Sequence, residues 1–339
     1  MALLTRKIGS TNVSALGFGA MGIAAFYATA ISEAERFKLL DAVYASGCTN
    51  WDTADAYGDS EISIGKWLKR TGKRNEIFLA TKFGLAAGIP GRVVCGDPDY
   101  APKALAKSLE RLGVDYVDLW YLHRADQTVP IELTVRAMAE QVKAGKVKYL
   151  GLSEISADTL RRAHAVHPIA AIQVEYSPFT LDIEDEKIGL LKTARELGVA
   201  VVAFSPLGRG LLTGKMRSPA DLNEGDIRLQ LPRFSKENFP KVLQVVDGIH
   251  AVAKKYNATA GQVTLAWLLA QGDDIIPIPG TTRIPNFQEN IASLQVKLSQ
   301  EDIDEIRRLA VVANSTIGER YPAQWQALSM ADTPPLPKA

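Results

Sequence analysis

Short apolar runs recur along the chain, and they alternate with stretches whose apolar positions fall at helical spacing. The first helical stretch carries Phe37, Leu40 and Val43, stops at Gly47, and leads into the run Cys48-Thr49-Asn50-Trp51. A second helix, over about 60 to 70, stops at Gly72 ahead of a strand from Ile77 to Lys82. A third carries Leu105, Leu109 and Leu112, stops at Gly113, and precedes Val117 to Leu122. A fourth stops at Gly145 before Val147 to Leu152, and a fifth, about 156 to 167, precedes Ala170 to Val174. A sixth, about 185 to 197, stops at Gly198 before Val199 to Phe204. Glycine suits each helix stop because it tolerates the left-handed C-cap conformation. The strands read as continuously apolar, as expected when both of their faces are covered.

The ends of the chain complete the pattern. Lys7-Ile8 and Val13 to Phe18 predict a hairpin around Gly9-Ser10-Thr11-Asn12, and Leu16 to Gly19 predicts the first strand of the main sheet. Gly17 to Gly22 matches G-x-G-x-x-G, yet no helix opens directly from it; the first helix start is the capping box Ser32-x-x-Glu35. The motif therefore reads as a glycine-rich turn after a strand and not as a dinucleotide fingerprint. After Ser205 an irregular segment runs to about residue 236. Helices follow through Val242 to Tyr256 and over about 260 to 271, then a short strand, Ile275 to Ile278, and a helix at about 285 to 294. A capped helix from Ser299 through Ile303, Ile306 and Leu309 reads as an addition, and the proline-bearing remainder as a covering tail. Eight strands alternating with helices predict an α/β fold, a closed (β/α)8 TIM barrel, in preference to an open doubly wound sheet. The expected organisation is a single domain over 1–339, with a core of about 6–312 that includes an N-terminal hairpin and the extra C-terminal helix, and a C-terminal tail over 313–339.

Composition narrows the function. The formal net charge of +1 and the lack of a long basic run give no electrostatic case for nucleic acid or an anionic membrane. Two cysteines, Cys48 and Cys95, make no disulfide framework, so a reducing, cytoplasmic setting is expected. The N-terminus carries no long apolar stretch of the signal-peptide kind, and no uncharged apolar run is long enough for a membrane span. Nothing in the sequence speaks to oligomeric state.

Candidate chemistry sits at strand ends. In a (β/α)8 barrel the active site lies at the C-terminal rim of the strands. Asp52, Lys82, His123, Ser153, Gln173, Ser205 and Gly280 all fall at or near that rim. Each of Asp52, Lys82 and His123 singly could be a loop-capping polar residue; together at one rim they point to a site. A buried Lys82 needs a carboxylate, and Asp52 is the candidate. Tyr57 follows Asp52 in a small-residue loop; a cation beside it would depress its pKa and make it a proton donor. His123 would orient a carbonyl oxygen. No serine or cysteine nucleophile stands out, and one His, one Asp and one Lys do not make a zinc set, so no metal is expected. His164 and His167 share a helix face beyond this rim and are read as structural.

These motifs carry a resemblance: Asp52-Thr53-Ala54-x-x-Tyr57-Gly58, Thr81-Lys82, Leu122-His123-Arg124, Gly151-Leu152-Ser153, Gln173-x-Glu175-Tyr176-Ser177-Pro178, Ser205-Pro206-Leu207-Gly208-Arg209-Gly210 and Ile278-Pro279-Gly280-Thr281-Thr282. Across about residues 6 to 312 the sequence resembles the aldo-keto reductase superfamily, and within it the branch of fungal and plant reductases of the yakC and perakine-reductase type. The resemblance implies NADPH-dependent reduction of a small aldehyde or ketone. Tyr57 would be the general acid, Lys82 and Asp52 its pKa tuners, and His123 the carbonyl-orienting donor. It also implies a cofactor site. Ala20, Met21 and Gly22 would lie beneath the nicotinamide, with Asp52 at its edge; Ser153 and Gln173 would hold the carboxamide, and Phe204 would stack on the ring. Ser205, Pro206, Leu207, Gly208, Arg209 and Lys215 would fold over the pyrophosphate. Gly280, Thr281, Thr282, Asn286, Glu289 and Asn290 would take the adenosine end, with Arg283 at the 2′-phosphate. Phe26, Tyr27, residues 84 to 96 and the tail near Tyr321 and Trp325 would finish the substrate pocket.

One position departs from the superfamily pattern. Glu154 stands where much of the superfamily has Asn, and a carboxylate cannot donate to the carboxamide oxygen. It is expected either to accept from the carboxamide NH2 or to serve as a loop ion-pair partner. Two other classes of function are weighed: an NADP-binding regulatory or scaffold subunit on the same barrel, and a barrel isomerase or lyase using Lys82 as a Schiff base. The intact Asp52, Tyr57, Lys82 and His123 set favours the reductase.

Overall fold

The computed structural model describes residues 3–24, 31–85, 91–316 and 318–337. Phe26, Tyr27 and part of the 84 to 96 segment, expected to finish the pocket, lie outside these. Two short antiparallel strands, β1 (Thr5–Ile8) and β2 (Thr11–Ser14), form the hairpin. Its turn is tighter than the sequence suggested, because Thr11 and Asn12 pair as strand residues with Ile8 and Lys7.

Eight parallel strands follow: β3 (Phe18–Gly19), β4 (Asn50–Asp52), β5 (Phe78–Phe83), β6 (Val117–Leu122), β7 (Val147–Ser153), β8 (Ile169–Glu175), β9 (Ala200–Phe204) and β10 (Ile275–Pro277). Each of β3 to β9 pairs with the next strand in sequence. Backbone bonds close the ring: Gly17 N–H donates to Pro277 O (2.9 Å) and Gly19 N–H to Pro279 O (3.3 Å). This seam explains the glycine motif. A Cβ on Gly19 would sit 2.6 Å from Ile278 O, and one on Gly280 would sit 2.7 Å from Gly19 O. The glycines serve strand closure, and only a short 3-10 turn, Ala20–Ile23, follows them.

The helices between strands are α1 (Glu33–Ala45), α2 (Ser60–Thr71), α3 (Ala101–Leu112), α4 (Ile131–Lys143), α5 (Ala157–Val166), α6 (Leu190–Glu196), α7 (Phe239–Lys255), α8 (Ala260–Leu269) and α9 (Ile284–Ala292). The capping box at Ser32 forms as expected, with Glu35 N–H reaching the Ser32 hydroxyl and the Glu35 carboxylate accepting from Ser32 N–H. Helix α6 starts later than the periodicity suggested, because Asp182–Glu184 forms a separate 3-10 turn and Gly189 caps the helix in a left-handed conformation. Helix α10 (Gln300–Thr316) packs against α7, and a short α11 (Ala323–Gln326) lies in the tail. Among the described residues no helix is long and apolar enough to cross a membrane.

Two apolar layers hold the barrel. The outer one lies between strands and helices and contains Trp51, Trp67, Trp120 and Trp267. The inner one fills the barrel with Phe78, Ala80, Leu119, Tyr121, Ala171, Val202 and Ile276, and Ile8 and Val13 of the hairpin pack into it. Successive strand residues point to opposite faces. Continuing the inner series by two positions therefore leads from Phe78 and Ala80 to Lys82, from Leu119 and Tyr121 to His123, from Ala171 to Gln173, and from Ala200 and Val202 to Phe204. The strand period itself delivers the polar residues to the top of the barrel interior.

Candidate active site

Lys82 and Asp52 form the base of the site. The Lys82 ammonium donates to Asp52 Oδ1 and, at 2.7 Å, to Thr53 O. Gln173 Nε2 donates to Asp52 Oδ2 at 2.7 Å. Lys82, Asp52 and His123 are 0%, 3% and 5% exposed, so this is a buried ion pair with its remaining lone pairs satisfied. Burial alone would lower the Lys82 pKa, but Asp52 and Tyr57 hold the ammonium above its ordinary value. Burial likewise pushes the Asp52 carboxyl up, opposed by Lys82 and Gln173. The charged form of the pair is the one that uses all these hydrogen bonds.

Tyr57 stands over this base. Lys82 Nζ lies 4.9 Å from the centroid of its ring. Its hydroxyl is 3.5 Å from His123 Nε2, and the two rings meet edge to face with centroids 5.6 Å apart. One expectation is corrected here. Burial raises the Tyr57 pKa, and the Lys82 charge only partly offsets it, so the resting phenol is more firmly protonated than an ordinary tyrosine. His123 is pushed well below its usual value by burial, by Lys82 and by Arg124, which makes it a neutral imidazole. Its Nδ1 has no hydrogen-bond partner among the described residues.

The rim beside this cluster is polar and partly aromatic. Ser153 ends β7 and pairs in register with Gln173 of β8. Phe204, half-buried, ends β9. Arg124, given no role by the sequence, donates to His123 O (3.1 Å) and Ser153 Oγ (3.3 Å), and its guanidinium lies 6.0 Å from the Phe204 ring centroid. Beyond β9 the chain turns through Ser205, Gly208, Arg209 and Gly210, all with positive φ. Lys215 reaches across to α9, 3.0 Å from Glu289 Oε2 and 3.3 Å from Asn286 Oδ1. Thr281 Oγ1 accepts from Arg283 N–H at 3.1 Å, and Arg283, exposed, occupies the N-cap of α9. Asn290, buried on the same helix, and Thr282, Gly280 and Pro206 complete this band, while Ala20, Met21 and Gly22 form the turn after β3.

Two charged residues near this band form internal ion pairs. Glu154 is fully buried, and its carboxylate receives both arms of Arg320, at 3.0 and 2.9 Å, and the Glu175 N–H at 3.0 Å. Of the two expectations for Glu154, the ion pair is the one the structure forms, with Arg320 as its partner. Burial would raise its pKa, but Arg320 and Arg124 hold it at about 2. Arg217, two residues beyond Lys215, is bidentate to Asp247 at 2.6 and 3.0 Å. Arg320 was missed because it lies in the tail; the departure of Glu154 from Asn was the available signal that a cation must come from elsewhere. His164 accepts the Ile169 N–H, and among the described residues no group of His, Cys, Asp and Glu could hold a metal ion.

Fold and rim together define a (β/α)8 barrel with its polar cluster at the C-terminal ends of the strands. The chain belongs to the aldo/keto reductase family, whose model matches residues 15–311. It is 58% identical to an aldo-keto reductase of Strobilurus tenacellus over the full length of both chains. It is 49% identical, again over the full length of both, to the yakc aldo-keto reductase of Schizosaccharomyces pombe, whose name carries NADP(+). Among solved structures it is similar to the glycerol dehydrogenase of Gluconobacter oxydans, with a TM-score of 0.81 and 28% identity, covering 95% of this chain and 100% of that one. A thermostable aldo-keto reductase bound to the inhibitor epalrestat gives a TM-score of 0.73 and 30% identity, covering 91% of this chain and 100% of that one.

Proposed function

We propose that the chain is an NADPH-dependent reductase of aldehyde or ketone carbonyls, with Tyr57 as the proton donor. The observation that carries this reading is Tyr57 standing over the buried Lys82–Asp52 pair with its hydroxyl 3.5 Å from a neutral His123. When bound, NADPH supplies the hydride. His123, through Nε2, orients the carbonyl oxygen together with the Tyr57 hydroxyl. As negative charge develops on that oxygen, Tyr57 gives up its proton, and the adjacent Lys82 ammonium stabilises the phenolate left behind. The raised resting pKa of Tyr57 fits this order, since the phenol stays protonated until the oxyanion forms.

The residues present fit the cofactor. Ser153 and Gln173 offer hydrogen bonds for a carboxamide, and Phe204 offers a face for a flat ring. Asp52 fixes Gln173 by the 2.7 Å bond already described. The turn from Ser205 through Arg209, with Pro206, Leu207 and Gly208, and Lys215 beyond it, suits a pyrophosphate. Gly280, Thr281, Thr282, Asn286, Glu289 and Asn290 suit an adenosine, and the exposed Arg283 suits a 2′-phosphate. Arg283→Ala is expected to weaken NADPH about tenfold or more while leaving NADH within about twofold, because only the phosphate gains charge-assisted bonds. Titrations with both cofactors check this; equal losses would show that Arg283 merely holds the loop.

The segment from Leu207 to about Phe234 is read as a belt over the cofactor. Leu211, Leu212, Leu231 and Phe234 are buried and anchor its two ends, whereas residues 217 to 230 are mostly exposed. Limited proteolysis of the free protein is expected to cut in that exposed stretch, and saturating NADPH to slow the cut. Equal cleavage with and without NADPH would contradict the belt.

A further inference from the structure

The tail carries a charged residue that no part of the proposed chemistry uses. Arg320 is 4% exposed, as buried as the catalytic cluster itself. Besides its fork on Glu154, its guanidinium lies 3.3 Å from Asp182 and 3.7 Å from Glu175. Glu175 in turn lies 3.8 Å from both Arg209 and Arg233. Three carboxylates, Glu154, Glu175 and Asp182, thus face three guanidiniums, Arg209, Arg233 and Arg320, in one cluster that is buried around Arg320 and half-buried at Asp182 and Arg209.

The position of this cluster gives it a task. Glu154 follows Ser153 directly, and Glu175 is two residues beyond Gln173. Glu154 also holds a left-handed backbone, φ 51°, a conformation that non-glycine residues keep only when their surroundings enforce it. The tail enforces it twice, through the Arg320 fork and through Ala331, whose N–H donates to Glu154 O at 3.3 Å and whose carbonyl accepts from Ser156 N–H at 3.1 Å. The next tail residue, Tyr321, accepts a 2.9 Å bond from Arg209 of the belt.

We propose that Arg320 is a positioning residue for the nicotinamide end of the cofactor site. By bridging Glu154 and Glu175 it fixes the ends of β7 and β8 at the spacing Ser153 and Gln173 need, and through Tyr321 it ties that spacing to the belt. The inference rests on the proposed NADPH site. It makes the C-terminal tail part of the cofactor cradle.

The test separates the two ends of the cofactor. Full-length wild type, Arg320→Lys and Arg320→Met are titrated with NADPH and with adenosine 2′,5′-bisphosphate, which carries the adenosine and its 2′-phosphate but no nicotinamide. Arg320→Met is expected to weaken NADPH about tenfold or more and the bisphosphate less than about twofold. Arg320→Lys, which keeps one charge but loses the fork, is expected between wild type and Arg320→Met. Should Arg320→Met fail to fold, the double variant Glu154→Gln, Arg320→Met removes one charge of each sign and leaves Glu175 and Asp182 balanced by Arg209 and Arg233. It is expected to fold and to show the same nicotinamide-selective loss. Equal weakening of both ligands, or of neither, overturns the proposal. A wild-type protein that binds the bisphosphate but gains nothing from the nicotinamide half would instead overturn the cofactor reading beneath it.

Discussion

Tyr57→Phe is expected to keep NADPH binding within about twofold and to lower carbonyl reduction roughly 100-fold or more, the usual cost of removing a general acid. The substitution removes one oxygen from a half-buried ring. Lys82 keeps Asp52 and Thr53 O, so the base of the site stays satisfied. His123 remains to orient the carbonyl, but as a neutral, buried imidazole it is a poor replacement acid. The loss should therefore appear in kcat, with the aldehyde KM changed far less. A variant reducing aldehydes at near wild-type rate would show that the proton comes from elsewhere.

Lys82→Met is expected to be the most destabilising single change in the site. It leaves the Asp52 carboxylate buried with Gln173 as its one side-chain donor. Breaking a buried pair from one side costs about 3–5 kcal/mol, because the remaining charge is uncompensated. In a chain of this size that corresponds to a fall in Tm of about 4–7 °C. Adding Asp52→Asn to Lys82→Met removes the orphaned charge and should recover most of the stability, but not the activity. Thermal unfolding of the three proteins checks this. If Lys82→Met melts with wild type, the pair is not charged in the folded protein.

The alternation of apolar runs and helical periods made the barrel legible, since most barrel strands are buried on both faces and most helices on one. Three of the four polar residues of the site were legible for the same reason: a carboxylate, a lysine and a histidine ending apolar strands have few bland explanations when they recur. The inward or outward sense of each position was not, because continuously apolar strands show no alternation. It took the inner layer, Phe78 to Ala80 and Leu119 to Tyr121, to show that Lys82 and His123 continue inward-facing series. Gly19 lies in the first barrel strand and Gly17 just ahead of it, and the reason for both, the seam with Pro277 and Pro279, joins chain ends that no local pattern connects. Arg320 was hidden for the same cause. It meets Glu154 across 166 residues, from a tail whose sequence has no period. Only the unmatched charge at Glu154 signalled that such a partner had to exist.

The proposed function requires a barrel that turns over NADPH and does not merely hold it. The most direct measurement follows NADPH absorbance at 340 nm with a panel of aromatic and aliphatic aldehydes, alongside the alcohol formed, for wild type and Tyr57→Phe. The account predicts NADPH consumption matched one to one by alcohol in the wild type, and binding with little consumption in Tyr57→Phe. Tight NADPH binding by both proteins, with no consumption across the panel, would contradict it and mark the chain as a cofactor-binding subunit on a reductase barrel.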